Sequence, residues 1–220
     1  MMTNALNQPV PLRQFLGLDS KSRPGADAKA GDKRVSDRFP DCELINHHGA
    51  KRRFRTDLVK GQRVMISFMY TRCEGICGRA MSGLLDVYQQ LKRENAPPFR
   101  IVSLSVDPKR DTVQDLMDYA AGNGITKLPE WELVVASESD TLAIRKALRA
   151  VESDPKKPDD LKSHSGLITF GNDRTDRWNS IPSGVSPIHI AHAFQRITRD
   201  GSFSDLIKIT GRTASTADKP

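Results

Sequence analysis

The sequence has few cysteines and no long apolar run. Three cysteines in 220 residues exclude a disulfide-built scaffold, and the odd number leaves at least one thiol outside any internal pair. No apolar stretch approaches the roughly 20 residues that cross a bilayer; the longest, Val64-Met-Ile-Ser-Phe-Met-Tyr70, has the length of a strand. Residues 1–20 lack the apolar centre of a signal peptide. As written, the chain reads as soluble. Its hydrophobic fraction is 37% and its mean hydropathy −0.50, so parts of it are expected to stay unpacked. The length suits one domain with a proper core rather than two.

The net charge of +7 is concentrated early, with twelve Lys/Arg against seven Asp/Glu in residues 1–60. Lys51-Arg-Arg-Phe-Arg55 is the densest basic stretch. It has a single aromatic and no recognition motif, which favours a solvated strand or loop over a nucleic-acid surface.

Residues 1–37 mix charge with Gly, Pro and Ala and show no apolar periodicity, and they read as a flexible N-terminal arm. A domain follows over 38–211, with a tail over 212–220. Cys42–Asn46 and Lys51–Arg55 flank His47-His48-Gly49 as a hairpin. Arg63–Tyr70 reads as a buried strand. Apolar residues at 77, 80, 81, 84, 85, 88 and 91 then follow helical spacing. Strands are expected at Phe99–Val106, Trp131–Ala136 and His164–Phe170. Between them come a helix opened by Thr112 and Asp115 in a capping arrangement and another capped by Ser139. Ser186-Pro187 begins a last helix. This alternation predicts an α/β thioredoxin-like sandwich with a central, mostly parallel sheet, an added N-terminal hairpin and a C-terminal extension.

Function is sharpest at Phe68-Met-Tyr-Thr-Arg-Cys73-Glu-Gly-Ile-Cys77. Two cysteines four positions apart, where a strand ends and a helix begins, are a redox pair, a metal clamp, or two buried thiols. Free N–H groups and the positive end of the helix dipole favour a thiolate there, and Arg72 and Arg79 act in the same direction. Three intervening residues make a loop wide enough for both sulfurs to grip one ion. A soft, three-coordinate ion such as Cu(I) needs a third donor, and His164, opening the strand after the long polar loop, is the candidate.

Three stretches together resemble the Sco/SenC family of copper-binding proteins, which help assemble the copper site of cytochrome c oxidase. They are Phe68–Cys77, Ser103-Leu-Ser-Val-Asp107-Pro-Lys-Arg-Asp-Thr112 and Lys162-Ser-His164-Ser165, and the resemblance covers roughly residues 38–180. It implies a copper ion held by Cys73, Cys77 and His164, with Asp107 close behind the ligands. It implies a monomeric metallochaperone that delivers copper to an acceptor (a cytochrome c oxidase subunit or another copper chaperone) and meets a thiol reductant. The family works outside the cytoplasmic membrane, so the resemblance places the chain in the periplasm or at a membrane; a complete chain without leader or anchor would be cytoplasmic. The family usually has Pro after the second cysteine and often Asp inside the motif. Here those positions are Gly78 and Gly75, which loosen the loop.

The enzyme alternative is a thiol–disulfide oxidoreductase in which one of Cys73 and Cys77 attacks and the other resolves, with His164 dispensable. A peroxide-reducing site would use Thr71 and Arg72, but paired cysteines suit it poorly. Cys42 reads as a small buried hydrophobe. His47 and His48 read as exposed turn residues, and His189 and His192 as exposed on one helix face. Met65, Met69, Met81 and Trp178 read as packing.

Overall fold

The computed structural model describes residues 34–73, 76–151 and 166–201, with residues 76 and 77 described by backbone alone. Seven strands form one sheet: β1 (Glu43–Asn46), β2 (Lys51–Arg53), β3 (Arg63–Met69), β4 (Arg100–Ser105), β5 (Trp131–Val135), β6 (Leu167–Asn172) and β7 (Arg177–Pro182). Among the described residues, four α-helices accompany them: α1 (Ile76–Arg93), α2 (Val113–Gly122), α3 (Glu138–Ala147) and α4 (Pro187–Thr198). The strand order is β2-β1-β5-β4-β3-β6-β7. β3 runs parallel to β4 and β4 to β5, whereas the β1–β2 and β6–β7 hairpins attach antiparallel on either side. The sheet is therefore mixed, with its parallel part confined to the centre, as in a thioredoxin-like α/β fold.

Both faces of the central strands are buried, so they read as largely apolar runs. Side chains alternate between two cores. Met65 and Met69 of β3, Ile101 of β4, and Trp131 and Leu133 of β5 join Leu84, Leu91, Leu116 and Phe194 from α1, α2 and α4. Val64, Ile66, Phe68, Val102, Leu104 and Val134 face the other way, onto Ile144 of α3 and Phe54 and Leu58 of the wide turn Phe54–Val59. The three methionines near the cysteines are thus core residues, each at most 2% exposed. On α1 the buried stripe is Met81, Leu84, Val87, Tyr88 and Leu91; Lys92 and Arg93 close its last turn, where cations suit the helix dipole.

Capping follows the sequence at α2, where Thr112 and Asp115 form the expected reciprocal box. At α3 the cap is Ser137, not Ser139: Ser137 Oγ accepts from the Asp140 amide, which places Glu138 and Asp140 in the first turn. β7 is an addition beyond the last strand expected from the sequence, His164–Phe170, and forms a hairpin with β6. Gly171 pairs with Trp178 across it, and a Cβ on Gly171 would lie 2.4 Å from the indole. That indole packs edge-on against Phe39 at 4.9 Å.

The arm read over 1–37 lies outside the described residues as far as 33. Residues 34–37 are tied to the β6–β7 turn, with the Val35 amide donating to Asp176 and Ser36 Oγ to Asp173. The tail over 212–220 lies outside the described residues as well.

His47 departs from the exposed-turn reading, which holds for His48. It is 1% exposed, because the β1–β2 turn folds back on β5. Its amide donates to the Leu133 carbonyl at 2.9 Å, and the Leu133 amide donates to its Nδ1 at 3.2 Å. Burial, and then the His48 ring at 3.9 Å, hold its pKa below the ordinary 6.5. The unfolded chain therefore takes up this proton more readily than the folded one, so the His47 contribution is intact above pH 6.5 and stability falls as pH drops below it. Urea unfolding at about pH 7.5 and about pH 5.5 checks this. Wild type is expected to lose more stability between them than His47→Asn, whose carboxamide oxygen still accepts from Leu133.

Candidate functional site

The site lies where the two central parallel strands end. β3 and β4 stay in register to Phe68↔Leu104 and Met69↔Ser105, and the Val106 amide donates to the Met69 carbonyl at 2.8 Å. The stretch carrying the cysteines and the Ser103–Thr112 stretch therefore leave the sheet side by side. Cys73 is half-buried in the loop after β3. Cys77 is the second residue of α1, so its backbone lies in the first turn of that helix. His164 lies outside the described residues. The strand that follows it is β6, antiparallel beside β3, with Ile66 opposite Thr169. Its leading end thus reaches the same end of the sheet: Gly166, Leu167 and Ser183 line a cleft of about 20 Å³ with Met69, Ala80 and Met81. That space suits roughly one water.

Asp107 and Asp111 divide the work at the end of β4. Asp107 is 6% exposed; its carboxylate accepts from Arg110 Nε at 2.6 Å, and its amide donates to Ser105 Oγ at 3.1 Å. Sequence reasoning singles out Asp107 from this stretch, but the contact with the cysteine loop is made by Asp111. The Asp111 carboxylate accepts from the Thr71 amide at 3.1 Å and from Thr71 Oγ1 at 2.6 Å. The signal was present in the quoted stretch Asp107–Thr112, yet spacing alone does not tell which acid turns inward. Arg72 reaches the Arg110 carbonyl at 3.4 Å and Asp115 at 3.5 Å. Thr71 and Arg72 are thus committed to neighbouring loops, an arrangement that does not favour peroxide positioning.

Gly78 is exposed, and a Cβ built there would meet nothing within 4 Å. Packing therefore does not demand glycine at this position. Among the described residues, no three His, Cys, Asp or Glu side chains cluster as a metal site, so a complete ligand set at this loop needs donors beyond Cys73.

The remaining candidates are elsewhere. Cys42 is packed against the second core; burial, and then the nearby Asp140 charge, push its thiol up to about 11. It stays protonated at neutral pH, as an inert core thiol does. His189 and His192 are exposed on α4, and His192 faces Glu94 at 3.4 Å. The basic stretch is neutralised locally: Lys51 by Glu43 at 2.9 Å, Arg52 by Glu132 at 3.1 Å, Arg53 by Asp41 at 3.1 Å and Arg55 by Asp37 at 3.4 Å. Such pairing leaves little field to attract a polyanion.

A model of the SCO1/SenC family matches residues 28–199. The SCO1 protein homolog of Bacillus subtilis is 30% identical over 118 residues, covering 52% of this chain and 60% of that protein. The human mitochondrial SCO2 homolog is 36% identical over 80 residues, covering 36% of this chain and 29% of its own length. The matched region is thus less than two thirds of either relative. Among solved structures, Arabidopsis thaliana ScoI with copper bound superposes with a TM-score of 0.57 at 17% identity, covering 73% of this chain and 97% of that one. Yeast Sco1 with copper bound gives 0.59 at 14% identity, covering 76% and 91%. These likenesses establish a shared fold.

Proposed function

Because the chain belongs to the SCO1/SenC family, we propose that it binds one copper ion through Cys73, Cys77 and His164. It passes that ion to a partner protein during assembly of a copper-containing oxidase. One observation carries the reading. The loop after β3 that bears the first cysteine, the helix bearing the second, and the leading end of the strand that follows His164 all meet at one end of the sheet. The chemistry of the donors agrees. Two thiolates and an imidazole form a soft set suited to Cu(I), and the first turn of α1 stabilises negative charge on sulfur.

The ion is cargo. Both thiols must be reduced to receive it, so uptake depends on pH and redox state, and a thiol reductant is a necessary partner. Release proceeds by ligand exchange with an acceptor that docks over the exposed loop. The acceptor is a cytochrome c oxidase subunit or another copper chaperone. ScoI of Arabidopsis and Sco1 of yeast are described with copper bound, which supports the choice of metal. Among the described residues no helix is long and apolar enough to cross a membrane; we assign the chain, as a monomer, to the outer side of the cytoplasmic membrane on family grounds alone.

A second reading has its own support. BsSco, 22% identical and matching with a TM-score of 0.59, is described through a disulfide switch and as a member of the Sco family of cytochrome c oxidase assembly proteins. In this reading Cys73 and Cys77 work as a thiol–disulfide oxidoreductase. Anaerobic Cu(I) titration against a competing chelator separates the two. The copper reading predicts uptake of a single equivalent. No competitive uptake, together with disulfide reductase turnover, would replace it with the second.

A further inference from the structure

We propose that Asp111 is a positioning residue for the copper site: its buried carboxylate fixes the loop that delivers Cys73. The proposal deepens the copper reading and rests on it. Asp111 is 3% exposed, and its two oxygens are held by three donors. Thr71 contributes its amide, at 3.1 and 3.4 Å, and its hydroxyl, at 2.6 Å; Ser105 contributes its hydroxyl at 2.6 Å. Ser105 Oγ in turn accepts from the Asp107 amide, and the Asp111 amide donates to the Asp107 carbonyl at 2.9 Å. The nearby cations have other carboxylates, Arg110 on Asp107, Arg72 on Asp115 and Lys109 on Glu138. The Asp111 charge is therefore balanced by hydrogen bonds, and a buried charge so balanced is costly to disturb.

The geometry explains why such a group stands here. Thr71 is two residues before Cys73, so the position of Thr71 sets where the Cys73 sulfur starts from. Cys77 belongs to α1, whose register is held by Met81, Leu84, Val87 and Leu91 in the core. Two anchors thus set the gap between the thiols: the packing of α1 on one side and Asp111 on the other. A bidentate grip on a small ion depends on that gap.

The test uses the full chain with Asp111→Asn, Thr71→Val and Thr71→Ser. Asparagine keeps the shape but offers one acceptor oxygen where two are in use; valine removes the Thr71 hydroxyl, and serine keeps it. Cu(I) affinity is measured by anaerobic competition. The alkylation rate of Cys73 is measured without copper, at fixed pH, in a Cys77→Ser background, and thermal midpoints are recorded alongside. Asp111→Asn and Thr71→Val are expected to weaken Cu(I) binding about tenfold, the lower end for groups that orient metal ligands. Both should change the Cys73 alkylation rate severalfold, and Thr71→Ser should stay close to wild type in both readouts. Lowered thermal midpoints with unchanged alkylation and unchanged affinity would make Asp111 a stabilising residue only and overturn the proposal, as would equal losses in Thr71→Val and Thr71→Ser. Should Asp111→Asn not fold, the two Thr71 variants decide. If wild type itself takes up no Cu(I), the copper reading fails, and this proposal fails with it even if the alkylation rates respond.

Discussion

Replacing Cys73 or Cys77 with serine is expected to lower Cu(I) affinity by roughly a thousandfold, about 4 kcal/mol. A serine hydroxyl is not ionised at neutral pH and is a hard donor, so it does not substitute for a thiolate on a soft ion. The loss should come with little change in stability, since Cys73 sits half-buried in a loop outside both cores. Cys42→Ser supplies the control. Its thiol, pushed up to about 11 mainly by burial, takes no part, so copper binding should match wild type. Chelator competition on the three single variants checks all of this. If Cys42→Ser lost as much affinity as Cys73→Ser, the ion would be bound by another set of sulfurs.

The second large effect concerns the platform under the site. Trp131→Ala is expected to cost about 4 kcal/mol, as large-to-small changes of buried aromatics do. Trp131 is 1% exposed on β5, near Tyr88 of α1 with ring centroids 6.3 Å apart. Its Nε1–H donates to Ser103 Oγ on β4 at 3.0 Å, and Ser103 Oγ shares a hydrogen bond with Ser67 Oγ on β3 at 2.8 Å. A short polar chain thus crosses three strands inside an otherwise apolar layer. Buried donors in such a chain are costly when a partner is lost, so Ser103→Ala should cost about 1–3 kcal/mol despite its small volume change. Urea midpoints at constant slope measure both. A Trp131→Ala protein within about 1 kcal/mol of wild type would contradict the packing described here.

What the sequence disclosed, and what it withheld, divides along physical lines. β3, β4 and β5 were legible because burial on both faces leaves largely apolar runs, as in Val64–Met69, where Ser67 is the one polar residue. The Thr112–Asp115 box was legible because capping is local chemistry. The Ser137 cap was harder, since Ser137 and Ser139 are two residues apart and either precedes the same apolar stripe. β7 was hidden because its burial is irregular and largely exposed, so its place comes from pairing with β6 and from the Gly171–Trp178 contact. Burial of His47 follows from how the β1–β2 turn meets Leu133, a contact eighty-six residues away in sequence. At the site, the cysteine spacing and the strand-to-helix junction were visible from the residues. The role of Asp111 needed the register of β3 against β4, which brings Thr71 and Ser105 to the same carboxylate.

The central claim is that an imidazole far along the chain completes a ligand set begun by two cysteines. It is tested most directly by anaerobic Cu(I) competition on wild type and His164→Ala side by side. The account predicts one equivalent bound by wild type and an affinity about a hundredfold lower in His164→Ala, with both thiols still intact. Wild-type affinity and stoichiometry preserved in His164→Ala would contradict it.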